Sequence, residues 1–335
     1  MQQLHEALIE KVNQKTKPIG SLGKLEELAI QIGLVQQTLS PTIINPTIVV
    51  FAGDHGIAST GLVNPFPQEV TAQMVYNFVN GGAAINVFAK LHAVDLSIVN
   101  AGVAAEFPGD LPIIHASIAK GTKNYLTDFA MSETQANQAI ETGKSIVQDI
   151  YKSGCNTIGF GEMGIGNSSS AALIMSNLLQ IPLEKCVGAG TGANIEQKLN
   201  TLKQVSNFHE LEINKYTPVD LLQRVGGFEI AMMMGAFLEA YSNDMLILVD
   251  GFIATAAFLL AHKTNSQIVS NAVFAHCSHE KGHTTMLNYL HVKPILQLDM
   301  RLGEGTGAAL AIPIIKSACA MINEMASFET AGISS

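Results

Sequence analysis

The sequence predicts an α/β protein built on a doubly wound, mostly parallel sheet. Short, continuous apolar runs recur along the chain, and such runs are typical of strands that are buried on both faces. Longer stretches with helical spacing of apolar residues separate most of these runs, so strands and helices are expected to alternate. The chain has 335 residues, 47% hydrophobic and only 14% charged, which favours a large core and some surface hidden in an oligomer.

The N-terminal segment is predicted to be helical and to lie outside this alternation. A first helix is indicated by apolar residues at helical spacing, namely Leu4, Leu8, Ile9 and Val12. A glycine-bearing turn at residues 17–23 follows, and a second helix is predicted from about Lys24 to Gln37. Prolines at positions 41 and 46 mark the connector to the first strand.

Six apolar runs are predicted to be strands. The first, Thr47–Gly53, is continuous and ends in glycine, as expected for a buried parallel strand. The others are Leu96–Val99, Thr157–Phe160, Lys185–Gly188, Leu246–Val249 and Ala272–Ala275. A final helix is predicted from Ala308 to Met325. We therefore expect a small helical domain from residues 1–40 plus about 308–335, and a large α/β domain, residues 41–307, that carries the functional site.

Charge, cysteine content and hydropathy argue against several classes of protein. The net charge of −9 argues against a nucleic-acid partner. The four cysteines show no pair at CxxC spacing, which is typical of a reduced, cytoplasmic protein. No basic segment followed by an apolar stretch opens the chain, so no signal peptide is expected. Residues 245–261 are apolar but interrupted by Asp250 and Gly251, which predicts a strand, a turn and a helix rather than a membrane span.

Three glycine-rich turns precede helical stretches or follow strands, at residues 161–166, 188–192 and 303–307. Glycine lets backbone N–H groups approach an anion, and a helix start adds partial positive charge. In open α/β sheets, ligands bind at the carboxyl ends of the strands. The three turns therefore predict a phosphate-binding site, with ordinary tight turns and helix caps as the alternative.

Glu304 lies in the middle of the third turn. A carboxylate there would repel a phosphate at close range, so it is an odd choice for a turn that only binds phosphate. It is explained if this turn faces another part of the substrate, where a proton has to be removed. Glu304 is therefore the candidate general base.

Two nucleotide-binding patterns are not met. The GxGxxG fingerprint does not follow any predicted strand. Residues 143–145 read Gly-Lys-Ser, like the end of a P-loop, but Gln138 stands where that motif requires glycine. The sequence therefore predicts no dinucleotide cofactor and no ATP chemistry.

Residues 279–283 spell HExxH, a zinc-protease pattern, with His276 nearby. That chemistry needs His279 and His283 on one face of a well-formed helix, with Glu280 as base. Gly282 lies inside the motif and an apolar strand ends just before it. A helix start near a ligand pocket is the preferred interpretation, and a zinc hydrolase is kept as the alternative.

Other positions leave a functional and a structural interpretation open. Asp54 and His55 follow the first strand, and the structural alternative is a capping Asp and a surface His. Lys198 follows the second glycine-rich turn, where a solvated helix lysine is expected from the residues alone. The segments Val225–Glu229 and Val249–Phe252 are interpreted as glycine-bearing ends that allow close packing.

Taken together, several strings resemble one family. They are Lys17–Gly23, Phe51–Gly56, Phe66–Thr71, Gly161–Asn167, Val225–Glu229, Asp250–Phe252 and Arg301–Gly307. In this order they are similar to the nicotinate-nucleotide:dimethylbenzimidazole phosphoribosyltransferases of cobalamin synthesis, and the match runs from about residue 15 to residue 325. Each string alone is weak, but the combination is very specific.

The resemblance implies a cytoplasmic homodimer with a Rossmann-like large domain and a small domain built from both chain ends. It implies that nicotinate mononucleotide and 5,6-dimethylbenzimidazole give α-ribazole 5′-phosphate and nicotinate, with inversion at C1′. No cofactor and no metal are expected. By the same resemblance Glu304 is the general base, and Glu162 and Lys198 are the secondary acidic and basic residues of the site.

The resemblance also implies two binding regions. A phosphate would be held by Gly166, Asn167, Ser168, Gly190 and Ser278, with Gly164 as a further substrate contact. The azole pocket would include Phe66, Met74, Leu302 and Gly303. Benzimidazole, adenine and phenolic bases are all compatible with the sequence. A non-catalytic protein that binds nucleotides or azoles on the same fold is the alternative from another class, and the zinc hydrolase is the third.

Overall fold

A six-stranded sheet forms the centre of the computed structural model, which describes residues 2–190 and 192–334. Its strands are β1 (Thr47–Gly53), β2 (Asp95–Gly102), β3 (Ile114–His115), β4 (Thr157–Met163), β5 (Leu246–Val249) and β6 (Ala272–Phe274). The strand order is β3-β2-β1-β4-β5-β6, and every pairing among these strands is parallel. The predicted α/β fold class is confirmed. The direction of winding reverses between β1 and β4, where such sheets open a crevice for ligands.

Thirteen α-helices accompany the strands in the described part of the chain. They are α1 (Gln2–Asn13), α2 (Lys24–Val35), α3 (Val70–Val79), α4 (Ala84–His92), α5 (Glu133–Lys152), α6 (Asn167–Leu179), α7 (Ile195–Phe208), α8 (Pro218–Val225), α9 (Phe228–Ser242), α10 (Phe252–Thr264), α11 (His283–Tyr289), α12 (Thr306–Glu324) and α13 (Phe328–Ala331). Both predicted N-terminal helices and the predicted C-terminal helix are present as α1, α2 and α12.

The two faces of the sheet are covered by different helices because successive side chains of a strand point to opposite faces. In β1, Ile48 and Val50 contribute to a core with α1–α4 and α12. Val49 and Phe51 contribute to the larger core on the opposite face, with α5–α11. All seven residues of β1 are buried, as the continuous apolar run predicts.

One predicted strand is absent, and one observed strand was not predicted. Lys185–Gly188 is not a strand: a 3₁₀ helix covers Leu183–Lys185, and irregular backbone follows. The run is apolar because Cys186 and Val187 are buried in the core, and burial alone does not distinguish a strand from a packed loop. Strand β3 was not predicted, since its two residues are exposed and carry no apolar run.

Helix α2 packs against both α1 and α12, and the buried residues of all three helices share one core with one face of the sheet. The division of the chain into a small and a large domain stays a prediction. Among the described residues, α12 alone is long and apolar enough to cross a membrane, and 61% of that window is buried inside the fold. Its apolar composition therefore fits a core helix.

Candidate active site

A cavity of about 350 Å³ opens at the carboxyl ends of β4, β5 and β6. It is lined by residues from these strand ends, from α3 and the segment before it, from the start of α6 and from the segment before α12. Of the predicted site residues it includes Phe66, Met74, Glu162, Gly164, Gly166, Asn167, Ser168, Gly190, Ser278, Leu302, Gly303 and Glu304. The fold therefore brings together residues that are distant in the sequence. Lys198 does not line the cavity itself, but its ammonium lies close to Gly190, which does.

Glu304 lies at the start of α12, with its carboxyl group at the cavity. Its φ of 64° is in the left-handed region, which is unusual for a residue other than glycine. The Ile85 N–H, in the first turn of α4, donates to Glu304 Oε2 at 3.4 Å. Burial, with a contribution from the charge of Asp250, raises the pKa of Glu304, while the bond from Ile85 opposes the rise. A carboxylate with a raised proton affinity is suited to act as a general base.

Asp250 holds the turn that carries Glu304. The N–H of Gly305 donates to Asp250 Oδ2 at 3.2 Å, and the N–H of Ala308 donates to Oδ1 at 3.0 Å. Asp250 thus caps the N-terminus of α12 from the end of β5, where no side chain of α12 supplies a cap. From the sequence, Val249–Phe252 was interpreted as a segment that allows close packing, and the capping role of Asp250 was not predicted. The position of Asp250 directly after a buried strand was the available signal.

Glu162 lies near the end of β4, the strand next to β5, which ends just before Asp250. The Asn167 side-chain amide donates to its Oε2, and a Cβ built on Gly303 would lie 2.3 Å from its Oε1. Burial, strengthened by the neighbouring carboxylates, raises the pKa of Glu162 from 4.5 to about 8. At neutral pH Glu162 is therefore mostly protonated and can donate a hydrogen bond into the cavity.

The start of α6 forms the polar end of the cavity. Gly166 adopts a left-handed φ of 95° as the helix begins, and the next two residues, Asn167 and Ser168, line the cavity. The Lys198 ammonium donates to Ser168 Oγ at 2.9 Å. A helix start with a lysine beside it is suited to an anion.

Lys198 is only 1% exposed, so the expectation of a solvated helix lysine is wrong. Burial lowers its pKa to about 8. Its ammonium lies close to the second glycine-rich turn, since a Cβ built on Gly190 would be 3.5 Å from Nζ. Thr191 of this turn lies outside the described residues. Sequence spacing could not show this burial because α7 packs on α6 only in the folded chain.

An apolar wall forms the outer part of the cavity. It is built by Phe66, Val70, Met74 and Leu302. Phe66 and Leu302 remain 45% and 57% exposed. Such a wall can cover the faces of a flat aromatic ring, and polar residues at the start of α6 line the same cavity.

The HExxH motif does not form the helix that zinc chemistry needs. Helix α11 begins only at His283, so His279 precedes it. His283 is also engaged at both ring nitrogens: Nδ1 accepts from the N–H of Ser278 at 2.8 Å, and Nε2 lies 2.9 Å from Thr255 Oγ1. Within residues 2–190 and 192–334, no group of three or more His, Cys, Asp and Glu is placed to hold a metal ion. The preferred interpretation, a helix start near a ligand pocket, fits this geometry.

Several cavity residues were not identified as site residues from the sequence. They include Asn64, His276, Glu280 and Arg301. His276 and Glu280 carried a signal through the HExxH pattern, which was interpreted as a helix start, and Arg301 belongs to a string that carries the family resemblance. The surface interpretation of His55 is wrong, because His55 is fully buried and its Nε2 lies 2.5 Å from Glu229 Oε1.

Comparisons with known proteins agree with this arrangement. A family model described as phosphoribosyltransferase matches residues 1–333. The chain is 49% identical over 326 residues to the nicotinate-nucleotide–dimethylbenzimidazole phosphoribosyltransferase of Cupriavidus necator, covering 96% of this chain and 93% of the relative.

Solved structures are similar over the whole chain. The crystal structure of CobT from Thermus thermophilus superposes with a TM-score of 0.94 at 35% identity, covering 99% of both chains. A structure of the nicotinate-nucleotide–dimethylbenzimidazole phosphoribosyltransferase of the same organism gives a TM-score of 0.93 at 34% identity, again over 99% of both chains. With this cavity, this sheet order and these relatives, the chain belongs to the nicotinate-nucleotide–dimethylbenzimidazole phosphoribosyltransferase family.

Proposed function

We propose that this protein transfers the phosphoribosyl group of nicotinate mononucleotide to 5,6-dimethylbenzimidazole, giving α-ribazole 5′-phosphate and nicotinate. The observation that carries the proposal is the buried Glu304, which lines the same cavity as an apolar wall and a polar helix start. A neutral heteroaromatic fits the first surface and a sugar phosphate fits the second. Membership of the family supports the same reaction.

The chemistry needs one base and no acid. The lone pair of one azole nitrogen forms a bond to C1′ of the ribose. The bond from C1′ to the pyridine nitrogen breaks, and its electron pair neutralises the positive ring, so nicotinate leaves without protonation. The attacking azole becomes cationic and loses the proton of its other nitrogen to the Glu304 carboxylate. Attack opposite the leaving group converts the β-nucleotide into an α-linked product.

Glu162 and Lys198 are proposed to support this step. A protonated Glu162 donates a hydrogen bond to the substrate without adding a second negative charge beside Glu304. Lys198, hydrogen-bonded to Ser168, supplies positive charge at the start of α6, where the 5′-phosphate is expected. Gly166, Asn167, Gly190 and Ser278 complete the proposed cradle.

We further propose that the protein is a cytoplasmic homodimer with a small domain built from both chain ends. Large apolar side chains remain exposed around the cavity and on α4, among them Phe66, Leu302 and Leu91. Contact with a second copy would remove such surface from water. Light scattering of the purified protein should give twice the mass of the 35.6 kDa chain.

The reaction is tested by a product assay with nicotinate mononucleotide and a panel of azoles and phenols. We expect 5,6-dimethylbenzimidazole to yield a phosphoribosylated product of the α configuration, read by mass and by NMR of the C1′ proton. Tight azole binding without any product would favour the non-catalytic binding protein instead. Activity that requires stoichiometric zinc and is lost on chelation would favour the zinc hydrolase.

A further inference from the structure

A buried pair formed by a histidine and a glutamate lies behind the cavity and takes no part in the proposed chemistry. His55 follows β1, and Glu229 lies in the first turn of α9. The distance from His55 Nε2 to Glu229 Oε1 is 2.5 Å, and both side chains are 0% exposed. Polar side chains are rarely buried this completely unless they are paired, and losing one partner leaves the other unsatisfied.

The carboxylate of Glu229 is enclosed by backbone. A Cβ built on Gly53 would lie 2.8 Å from Glu229 Oε2, and a Cβ built on Gly227 would lie 2.4 Å from the same oxygen. On the other side, a Cβ built on Gly164 would lie 3.5 Å from Oε1. The end of β1, the start of α9 and the turn after β4 therefore all meet at this one carboxylate.

The turn after β4 is the part of this arrangement that reaches the substrate. Gly164 and Gly166 line the cavity, and α6 begins directly after them. The turn is held by other contacts as well: the Ile165 N–H donates to Thr71 Oγ1 at 3.1 Å, and a Cβ built on Gly164 would be 2.3 Å from the Gly53 carbonyl oxygen. Because Gly53 contacts both Glu229 and Gly164, we expect a shift of Glu229 to be passed on to this turn.

We propose that His55 and Glu229 are positioning residues: as one unit they hold the Gly164–Gly166 turn in the place where it binds the phosphate of the nucleotide. Neither residue lines the cavity. The inference rests on the proposed function, because it assigns the turn to nicotinate mononucleotide. It adds to that function a pair of residues outside the cavity that hold the phosphate-binding turn in place.

A conservative variant of Glu229 separates positioning from packing. Glu229→Gln keeps the side-chain volume, but its amide brings hydrogens into the space where Glu229 Oε2 lies against Gly53 and Gly227. Oε2 has no hydrogen-bond partner in the described structure, so the new N–H groups would be unsatisfied there. A shift of Gly53 would relieve this contact, and we expect Gly164, which packs against the Gly53 carbonyl oxygen, to shift with it.

The experiment measures steady-state kinetics of the wild type, Glu229→Gln, His55→Gln and the double variant. We expect each variant to raise KM for nicotinate mononucleotide by about tenfold, while kcat and KM for the azole stay within about threefold. Because the pair acts as a unit, the double variant should raise KM no further than either single variant. The control is Thr157→Val, a buried polar change at the opposite end of β4 that lowers the melting temperature without raising KM.

Additive effects in the double variant, or equal changes in both KM values, would overturn the positioning role. Calorimetric binding of nicotinate mononucleotide alone gives a readout that needs no turnover. A wild type that forms no product contradicts the proposed function. The binding arm then still decides the positioning role, since weaker binding in Glu229→Gln than in Thr157→Val supports it and equal binding contradicts it.

Discussion

Gly161 lies directly beneath the backbone of Glu304. A Cβ built on Gly161 would be 2.3 Å from the carbonyl carbon of Glu304 and 2.3 Å from the nitrogen of Gly305. Such contacts do not occur between real atoms, so only glycine permits the turn before α12 to rest on β4. Asp250, directly after β5, accepts a hydrogen bond from the N–H of Gly305 in the same turn. The backbone that carries Glu304 therefore contacts both β4 and the end of β5.

The first prediction follows from this contact. Gly161→Ala must push the backbone of Glu304 away from β4, and a displacement of about 1 Å at a catalytic group can cost roughly 10²-fold in rate. We expect a loss of that order in kcat with a lower melting temperature. Gly109→Ala is the control, because a Cβ on Gly109 meets no atom within 4 Å. Wild-type kcat in Gly161→Ala would show that the position of this backbone does not matter.

The second prediction concerns Glu304, the proposed general base. Glu304→Gln keeps the size of the side chain but cannot accept the azole proton, so turnover should fall by about two orders of magnitude or more. Azole binding, measured by calorimetry, should largely persist because the apolar wall is unchanged. Glu196→Gln, an exposed change in the first turn of α7, should retain full activity. Unchanged turnover in Glu304→Gln would refute the assignment.

The third prediction concerns the pH dependence of stability. The pKa of Glu162 is about 8 in the folded protein and near 4.5 when the group is solvated, so the folded state binds more protons between these values. Its contribution to the free energy of unfolding is therefore present at low pH and is lost as pH rises towards 8. Glu162→Gln should remove this dependence.

This prediction is checked by chemical denaturation at about pH 5 and about pH 8. The stability of Glu162→Gln relative to the wild type should increase as the pH rises. The same comparison for Glu196→Gln should show little change with pH, because that carboxyl is exposed. A pH-independent difference between Glu162→Gln and the wild type would mean that Glu162 is already ionised in the folded protein.

The fourth prediction tests the basic residue behind the cavity. Hydrogen bonds to charged groups contribute about 1.5–3 kcal/mol, so Lys198→Met should weaken binding of nicotinate mononucleotide by roughly 10- to 100-fold. The KM for the azole should stay near the wild-type value. Lys203→Met is the matched control in the same helix, since Lys203 forms a partly exposed ion pair with Glu184 at 2.6 Å. Similar effects of the two substitutions on the nucleotide KM would contradict the role of Lys198.

The fold and part of the site could be predicted because they depend on local sequence patterns. Strand β1 is a continuous apolar run that ends in glycine, and the glycine-rich turns before α6 and α12 follow directly from residue type. The run at Lys185–Gly188 misled the strand prediction, since Cys186 and Val187 are buried without pairing. A local run of apolar residues indicates that a segment is buried, but it does not show whether the segment pairs in a sheet or packs as a loop.

The sequence by itself determined the alternation of strands and helices and the family resemblance, and it led to the proposal that Glu304 is the base. Only the tertiary structure decided that Lys198 and His55 are buried, that Asp250 caps α12, and that Glu162 has a raised pKa. The physical reason is that burial, desolvation and close backbone contact arise between segments far apart in the chain. They exist only once the sheet has brought the carboxyl ends of β1, β4, β5 and β6 together.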